Sequence, residues 1–156
     1  QASAIFNTNQ CHLLVIYEHD FLFLGDGMST QIILPRMLQV GENASHATPT
    51  ILASLGCRHP LIITDKMMVQ LGYAKKIQSV LAEQDMQADI FDDTVPEPTV
   101  ASIQAGVKKI QEGDYDSIIA LGGGSPIDSA KAMSILGKFG GEMRDYKFPR
   151  QFCIYG

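Results

Sequence analysis

A chain of 156 residues is one domain by length and can bury roughly two-thirds of its unfolded surface. Its apolar and charged fractions, 46% and 19%, are those of an ordinary globular protein, and a net charge of −5 with no Lys/Arg cluster argues against a broad nucleic-acid surface. Cys11, Cys57 and Cys153 are too few and too scattered for a disulfide framework or a metal motif, which points to a reducing cytoplasm.

The first apolar run, residues 13–24, is broken by Glu18, His19 and Asp20 and is too short and too charged to span a membrane. Residues 31–40 read as a strand or hairpin arm, and Pro35 suits an edge position. Residues 41–45 read as a loop. Thr48 can cap a helix with Pro49 at its first position, an apolar face of Ile51, Leu52 and Leu55, and a stop at Gly56. Residues 61–64 form a short apolar strand closed by Asp65. A carboxylate there sits at the ligand-facing edge of an α/β sheet, and it can also cap the segment from Lys66. That segment predicts a short helix over 66–71, stopped near Gly72, and a second over 73–83 with Ile77, Val80 and Leu81 inward. Ala88 and Ile90 alternate with polar neighbours in a strand ending near Phe91. Residues 92–98 carry three acids and two prolines and read as a solvated connection. Thr99 can cap the next helix, where Val100, Ile103, Val107 and Ile110 make a core-facing stripe that ends at Gly113. His12, His19, His46 and His59 pair with no carboxylate at ligand spacing and read as surface or loop residues.

Residues 117–133 organise the rest. The run 118–121 has no polar alternation, as in a strand buried on both faces. Gly122, Gly123 and Gly124 follow. Ser125 and Pro126 then read as the N-cap and first position of a helix, with Asp128 placed for a capping box. A strand, a glycine turn and a helix N-terminus make a site for phosphate or pyrophosphate; the alternative is a tight turn with no ligand. No P-loop Gly-Lys-Ser/Thr follows, and Ile127 stands where a G-x-G-x-x-G fingerprint needs its last glycine. The helix over 126–136 is apolar nearly all round, so it should be largely buried. Lys131 can pair with Asp128 one turn back. Residues 137–150 read as loop.

Strands alternating with helices predict a doubly wound, Rossmann-like α/β domain with a mostly parallel sheet. GGGSPIDSAK at 122–131, PEPT at 96–99, LIITD at 61–65 and LPRMLQVGENA at 34–44 resemble the iron-containing (group III) alcohol dehydrogenases. The resemblance covers about residues 28–150. Residues 1–27 are then an extension, the alternative being an extra strand added to the sheet edge, and 151–156 an atypical end. It implies that the glycine turn holds the pyrophosphate of NAD(P). It also implies that Asp65 takes the adenosine ribose hydroxyls and repels a 2′-phosphate, favouring NAD over NADP. The 92–98 loop would border the adenine and ribose, with Glu97 where the family often has Asn. Asp128 would reach the nicotinamide end. The implied cofactor residues are thus Asp65, Glu97, Gly122, Gly123, Gly124, Ser125, Pro126, Ile127 and Asp128.

In the family a second, all-helical domain supplies one Asp and three His to divalent iron or zinc. That domain is expected to lie outside these 156 residues, and the resemblance then implies no metal ligand or catalytic residue among them. The resemblance therefore implies the NAD-binding half of a metal-dependent alcohol dehydrogenase, inactive alone. The partner of the full-length enzyme would be a small alcohol or aldehyde, and this half would associate with further copies of itself through an exposed apolar face. No nucleic acid or membrane partner is expected. The alternatives are a non-catalytic nucleotide- or phosphate-binding module, or a relative of glycerol dehydrogenase or dehydroquinate synthase.

Overall fold

The computed structural model describes residues 2–7, 13–17, 37–40 and 42–146, the first three segments as backbone. Cys11, Cys153, His12, His19, Pro35 and the end 151–156 lie outside the described residues. The strands are β1 (Ala2–Asn7), β2 (Leu13–Tyr17), β3 (Met37–Val40), β4 (Pro60–Ile63), β5 (Asp89–Phe91) and β6 (Ser117–Gly122). They form one six-stranded sheet in the order β3-β2-β1-β6-β4-β5. β6, β4 and β5 are mutually parallel, with Leu61 opposite both Ile118 and Asp89. β1 runs antiparallel to β6 and to β2, while β2 and β3 are parallel. The edge of β6 away from β4 is thus paired with a strand from the 1–27 stretch, Ala2 lying opposite Gly122.

Five helices accompany the strands among the described residues: α1 (Thr48–Ser54), α2 (Lys66–Gln70), α3 (Tyr73–Ala82), α4 (Val100–Glu112) and α5 (Gly124–Phe139). They cover both sheet faces, which is why β4 and β6 lack polar alternation. Side chains alternate across a strand. Ile62, Ile119 and Leu121 therefore pack with Leu52 of α1 and Ile77 and Leu81 of α3. Leu61, Ile63, Ile118 and Ala120 pack on the other face with Ile103, Val107, Met133 and Leu136 of α4 and α5. α4 and α5 approach closely at Gly106, where an added Cβ would lie 2.2 Å from Met133 Sδ.

Several local expectations change. Thr48 is the first residue of α1, after Ala47 at the N-cap, because a 3₁₀ turn (Ala44–Ala47) already occupies the expected loop. Thr99 does cap α4, in a reciprocal capping box with Ser102. Val100, however, is 69% exposed: it begins the helix and points away from the sheet, so the buried stripe starts at Ile103. α5 runs on to Phe139, and a second 3₁₀ turn (Met143–Tyr146) falls within the expected loop. Only one face of α5 is buried, since Asp128, Ile135, Lys138 and Phe139 are exposed.

At the amino edge of the parallel strands, Asp116 ties β6 to β4. Its carboxylate accepts from the backbone N–H groups of Arg58 and His59 and from Ser117 Oγ. Nearby, Tyr115 donates to Asp89 at 2.6 Å, and that bond holds the Asp89 carboxyl below the usual carboxylate range. Burial, and then the Asp116 charge, push the Cys57 thiol up. No helix among the described residues is long and apolar enough to cross a membrane.

Ser129 on α5 is fully buried, and its Oγ has no hydrogen-bond partner among the described residues. An unpaired buried hydroxyl costs about 1–3 kcal/mol. Ser129→Ala is expected to stabilise the fold by about 1 kcal/mol in a denaturant titration. A loss of stability would show that the hydroxyl has a partner after all.

Candidate functional site

Because β4, β5 and β6 are parallel, their carboxyl ends meet at one edge of the sheet. Three connections leave there: 64–65 into α2, 92–99 into α4, and 122–123 into α5. Between them opens a cleft of about 480 Å³, lined by residues 65–67, 92–96 and 123–126. A cleft outside the carboxyl ends of parallel strands is where open α/β sheets take ligands.

The glycines of the turn do different work. Gly122 is buried at φ 137°, and a Cβ there would lie 2.9 Å from Pro126 Cγ. Packing and backbone both require glycine at that point. Gly123 and Gly124 are exposed, and a Cβ at either would meet nothing within 4 Å. Their bareness serves the open space in front of the turn and not the packing of the chain.

Gly123 is also the N-cap of α5, correcting the assignment of that role to Ser125. The sharp turn at Gly122 lets the helix begin two residues earlier. Pro126 is then third in the helix, still within the first turn, where backbone N–H groups lack intrahelical partners. The first bond of the ladder runs from Ile127 N to Gly123 O, so the N–H groups of Gly124 and Ser125 precede it at the positive end of a 16-residue helix. No capping box forms with Asp128, which pairs with Lys131 Nζ at 3.1 Å. The Ser125 hydroxyl instead reaches across the cleft rim to the Pro96 carbonyl at 2.6 Å.

Asp65 forms the opposite wall. It caps α2, Oδ1 accepting from Met68 N at 2.9 Å. Oδ2 stays on the Gly122 side, 3.6 Å from where a Gly122 Cβ would stand. Asp92 and Asp93 add two more carboxylates to the lining, against the single ammonium of Lys66. Lys66 pairs with Asp93 at 3.3 Å, but both side chains are well exposed, so that pair contributes at most about 1 kcal/mol.

Beneath the cleft lie two buried threonines that sequence reasoning gave no role. Thr64 Oγ1 donates to Leu121 O at 2.8 Å, and Thr94 Oγ1 donates to Thr64 O at 2.7 Å. The signal was available: a hydroxyl ending the apolar run 61–63 must find a partner once buried. Lys66 and Met67 were likewise missed as lining, because nothing in a helix's first turn marks which way it faces.

Of the expected cofactor residues, Asp65, Gly123, Gly124, Ser125 and Pro126 line the cleft, and Gly122 supports its floor. Glu97, Ile127 and Asp128 are not among the lining residues. Glu97 is exposed on the connection, Ile127 packs beside the core under α4 and α5, and Asp128 is engaged by Lys131. His46 is exposed, and His59 sits at the far edge with Nδ1 3.0 Å from Asp114 O. Among the described residues, no three or more His, Cys, Asp or Glu side chains are grouped to hold a metal ion.

The model of the family described as iron-containing alcohol dehydrogenase matches residues 35–152. Alcohol dehydrogenase 4 of Saccharomyces cerevisiae is 33% identical over 118 residues, covering 76% of this chain and 31% of that protein. The NAD-dependent methanol dehydrogenase of Bacillus methanolicus is 27% identical over the same length, again 31% of its own chain. The crystal structure of sulfoacetaldehyde reductase from Bifidobacterium kashiwanohense in complex with NAD+ superposes with a TM-score of 0.69 at 23% identity, over 79% of this chain and 32% of that one. This last likeness bears on the fold alone. The chain thus spans about a third of the length of these relatives, and it belongs to the iron-containing alcohol dehydrogenase family.

Proposed function

We propose that this chain is the NAD-binding half of a metal-dependent alcohol dehydrogenase, which moves hydride between a primary alcohol or diol and NAD. Residues 28–150 are taken as the binding unit. The observation that carries the reading is the exposed Gly123–Gly124 turn, opening α5 into a 480 Å³ cleft at the carboxyl edge of the sheet. The name of the Bacillus methanolicus relative, which specifies NAD, supports the cofactor assignment.

The described residues fit such a cofactor. The first-turn N–H groups of Gly124 and Ser125, which lack intrahelical partners, and the α5 dipole would take the pyrophosphate. The missing Cβ atoms of Gly123 and Gly124 leave it room. Asp65 Oδ2 would accept from the adenosine ribose, while Oδ1 keeps the carboxylate fixed as the cap of α2. A 2′-phosphate would face Asp65, Asp92 and Asp93. Like charges about 4 Å apart cost up to roughly 4 kcal/mol at an intermediate effective dielectric, so NAD is favoured over NADP. Glu97, Ile127 and Asp128 enter this site only through the resemblance. Bound NAD supplies the hydride chemistry, and the protein supplies binding and orientation. The described residues do not fit a metal centre.

Calorimetric titration with NADH and NADPH tests this. NADH is expected to bind saturably and more tightly than NADPH, and Asp65→Ala should weaken NADH and narrow the gap. Absence of NADH binding by a chain that melts cooperatively would sink the proposal. The glycines should separate. Gly124→Val is expected to leave the melting temperature within about 2 °C of the native chain while abolishing NADH binding. Gly122→Ala should lower stability by about 1–3 kcal/mol through strain at positive φ. If both variants merely unfolded the chain, the turn would be structural.

A further inference from the structure

The walls of the cleft belong to three separate strand ends, and the regular ladders stop short of it. β4 last pairs with β6 at Ile63 opposite Ala120, and with β5 at Ile63 opposite Phe91. The next residue, Thr64, lies just beyond both ladders. It is fully buried, and each of its polar groups is engaged. Its N–H donates to Phe91 O at 2.9 Å, its carbonyl accepts from Thr94 Oγ1 at 2.7 Å, and its Oγ1 donates to Leu121 O at 2.8 Å. Each partner lies close to a wall. Leu121 precedes Gly122, Thr64 precedes Asp65, and Thr94 is itself part of the lining. Across the rim, Ser125 Oγ bonds the Pro96 carbonyl, so the circuit closes above the cleft as well as below it.

We propose that Thr64 is a positioning residue for the cleft, its hydroxyl fixing the Asp65 wall against the glycine turn. The proposal rests on the NAD-binding reading for its consequence and on these bonds for its geometry. Valine has nearly the same shape as threonine and would fill the same space. It cannot donate, and it would leave the Leu121 carbonyl buried without that donor. The turn at Gly122 and the N–H groups of Gly124 and Ser125 would then lose their register with Asp65 Oδ2. A ligand held at both points feels such a shift at each of them. Serine keeps the hydroxyl and should keep the register. Thr94→Val breaks the neighbouring link, through the Thr64 carbonyl, and should act in the same direction.

The test uses the whole chain in five forms: native, Thr64→Val, Thr64→Ser, Thr94→Val and Leu136→Ala. Leu136 is buried under α4 and α5 and takes no part in the cleft, so its variant controls for a general loss of stability. NADH affinity and amide hydrogen exchange over residues 120–126 are read for each. Thr64→Val is expected to bind NADH roughly tenfold more weakly and to exchange faster at 122–125. Thr64→Ser should restore both, and Leu136→Ala should change neither beyond its effect on global melting. Equal affinity and equal local exchange in Thr64→Val and the native chain would overturn the proposal. So would failure of serine to restore a loss. Should the native chain bind no NADH, the functional reading falls by itself. The exchange comparison then still decides whether Thr64 sets the turn. Should Thr64→Val fail to fold, the same readouts on Thr94→Val decide it, unchanged affinity and exchange again counting against the circuit.

Discussion

β6 is covered on both faces and paired on both edges, and it has to leave the sheet without leaving the core. That constraint shapes everything at the carboxyl edge. The chain escapes at Gly122, at a φ no other residue adopts comfortably, and Pro126 folds back to within 2.9 Å of where a Cβ would be. A helix begins at once, capped by Gly123. The burial of the strand thus dictates the turn, and the turn delivers the first amides of α5 to the sheet edge. The Asp65 wall and the 92–96 wall are then referred to that point by the bonds of Thr64, Thr94 and Ser125.

The cleft divides its electrostatics between its walls. Among the described lining residues, one wall is positive without any basic side chain, through the helix dipole and first-turn N–H groups that lack intrahelical partners. The other is negative, with Asp65, Asp92 and Asp93 only partly offset by Lys66. An anionic group suits the first wall, and hydrogen-bond donors suit the second. In the proposed reading the pyrophosphate and the ribose supply them in that order. The amino edge of the sheet is built differently. There Asp116 spends its carboxylate on two backbone N–H groups and a hydroxyl, which closes the edge.

Much of this was legible in the sequence, for definite reasons. The unbroken apolar runs at 61–63 and 118–121 marked strands with two buried faces, and the stripe at Ile103 and Val107 marked a helix packed on one face of the sheet. Gly56 and Gly72, both at positive φ, ended helices as glycines do. Asp65 was readable as a cap and as a ligand-edge carboxylate because both follow from its place after a short strand. What failed was local. Ser-Pro is a strong helix start, but a glycine ahead of it offered an earlier one, and the tight exit from β6 selected that. Val100 kept the right spacing and the wrong environment, since periodicity says nothing about where a sheet ends. The threonine circuit depends on which strand ends become neighbours, and that is a property of the 6-4-5 order, not of any one stretch.

The central claim is that the α5 turn and the Asp65 wall bind one dinucleotide together. Backbone amide shifts of the isotopically labelled chain, followed through an NADH titration, test it most directly. The account predicts shifts concentrated at 65–67, 92–96 and 122–126, moving together with a single dissociation constant. Shifts centred instead on Asp89 and Tyr115 at the amino edge of the sheet, or none at the glycine turn, would contradict it.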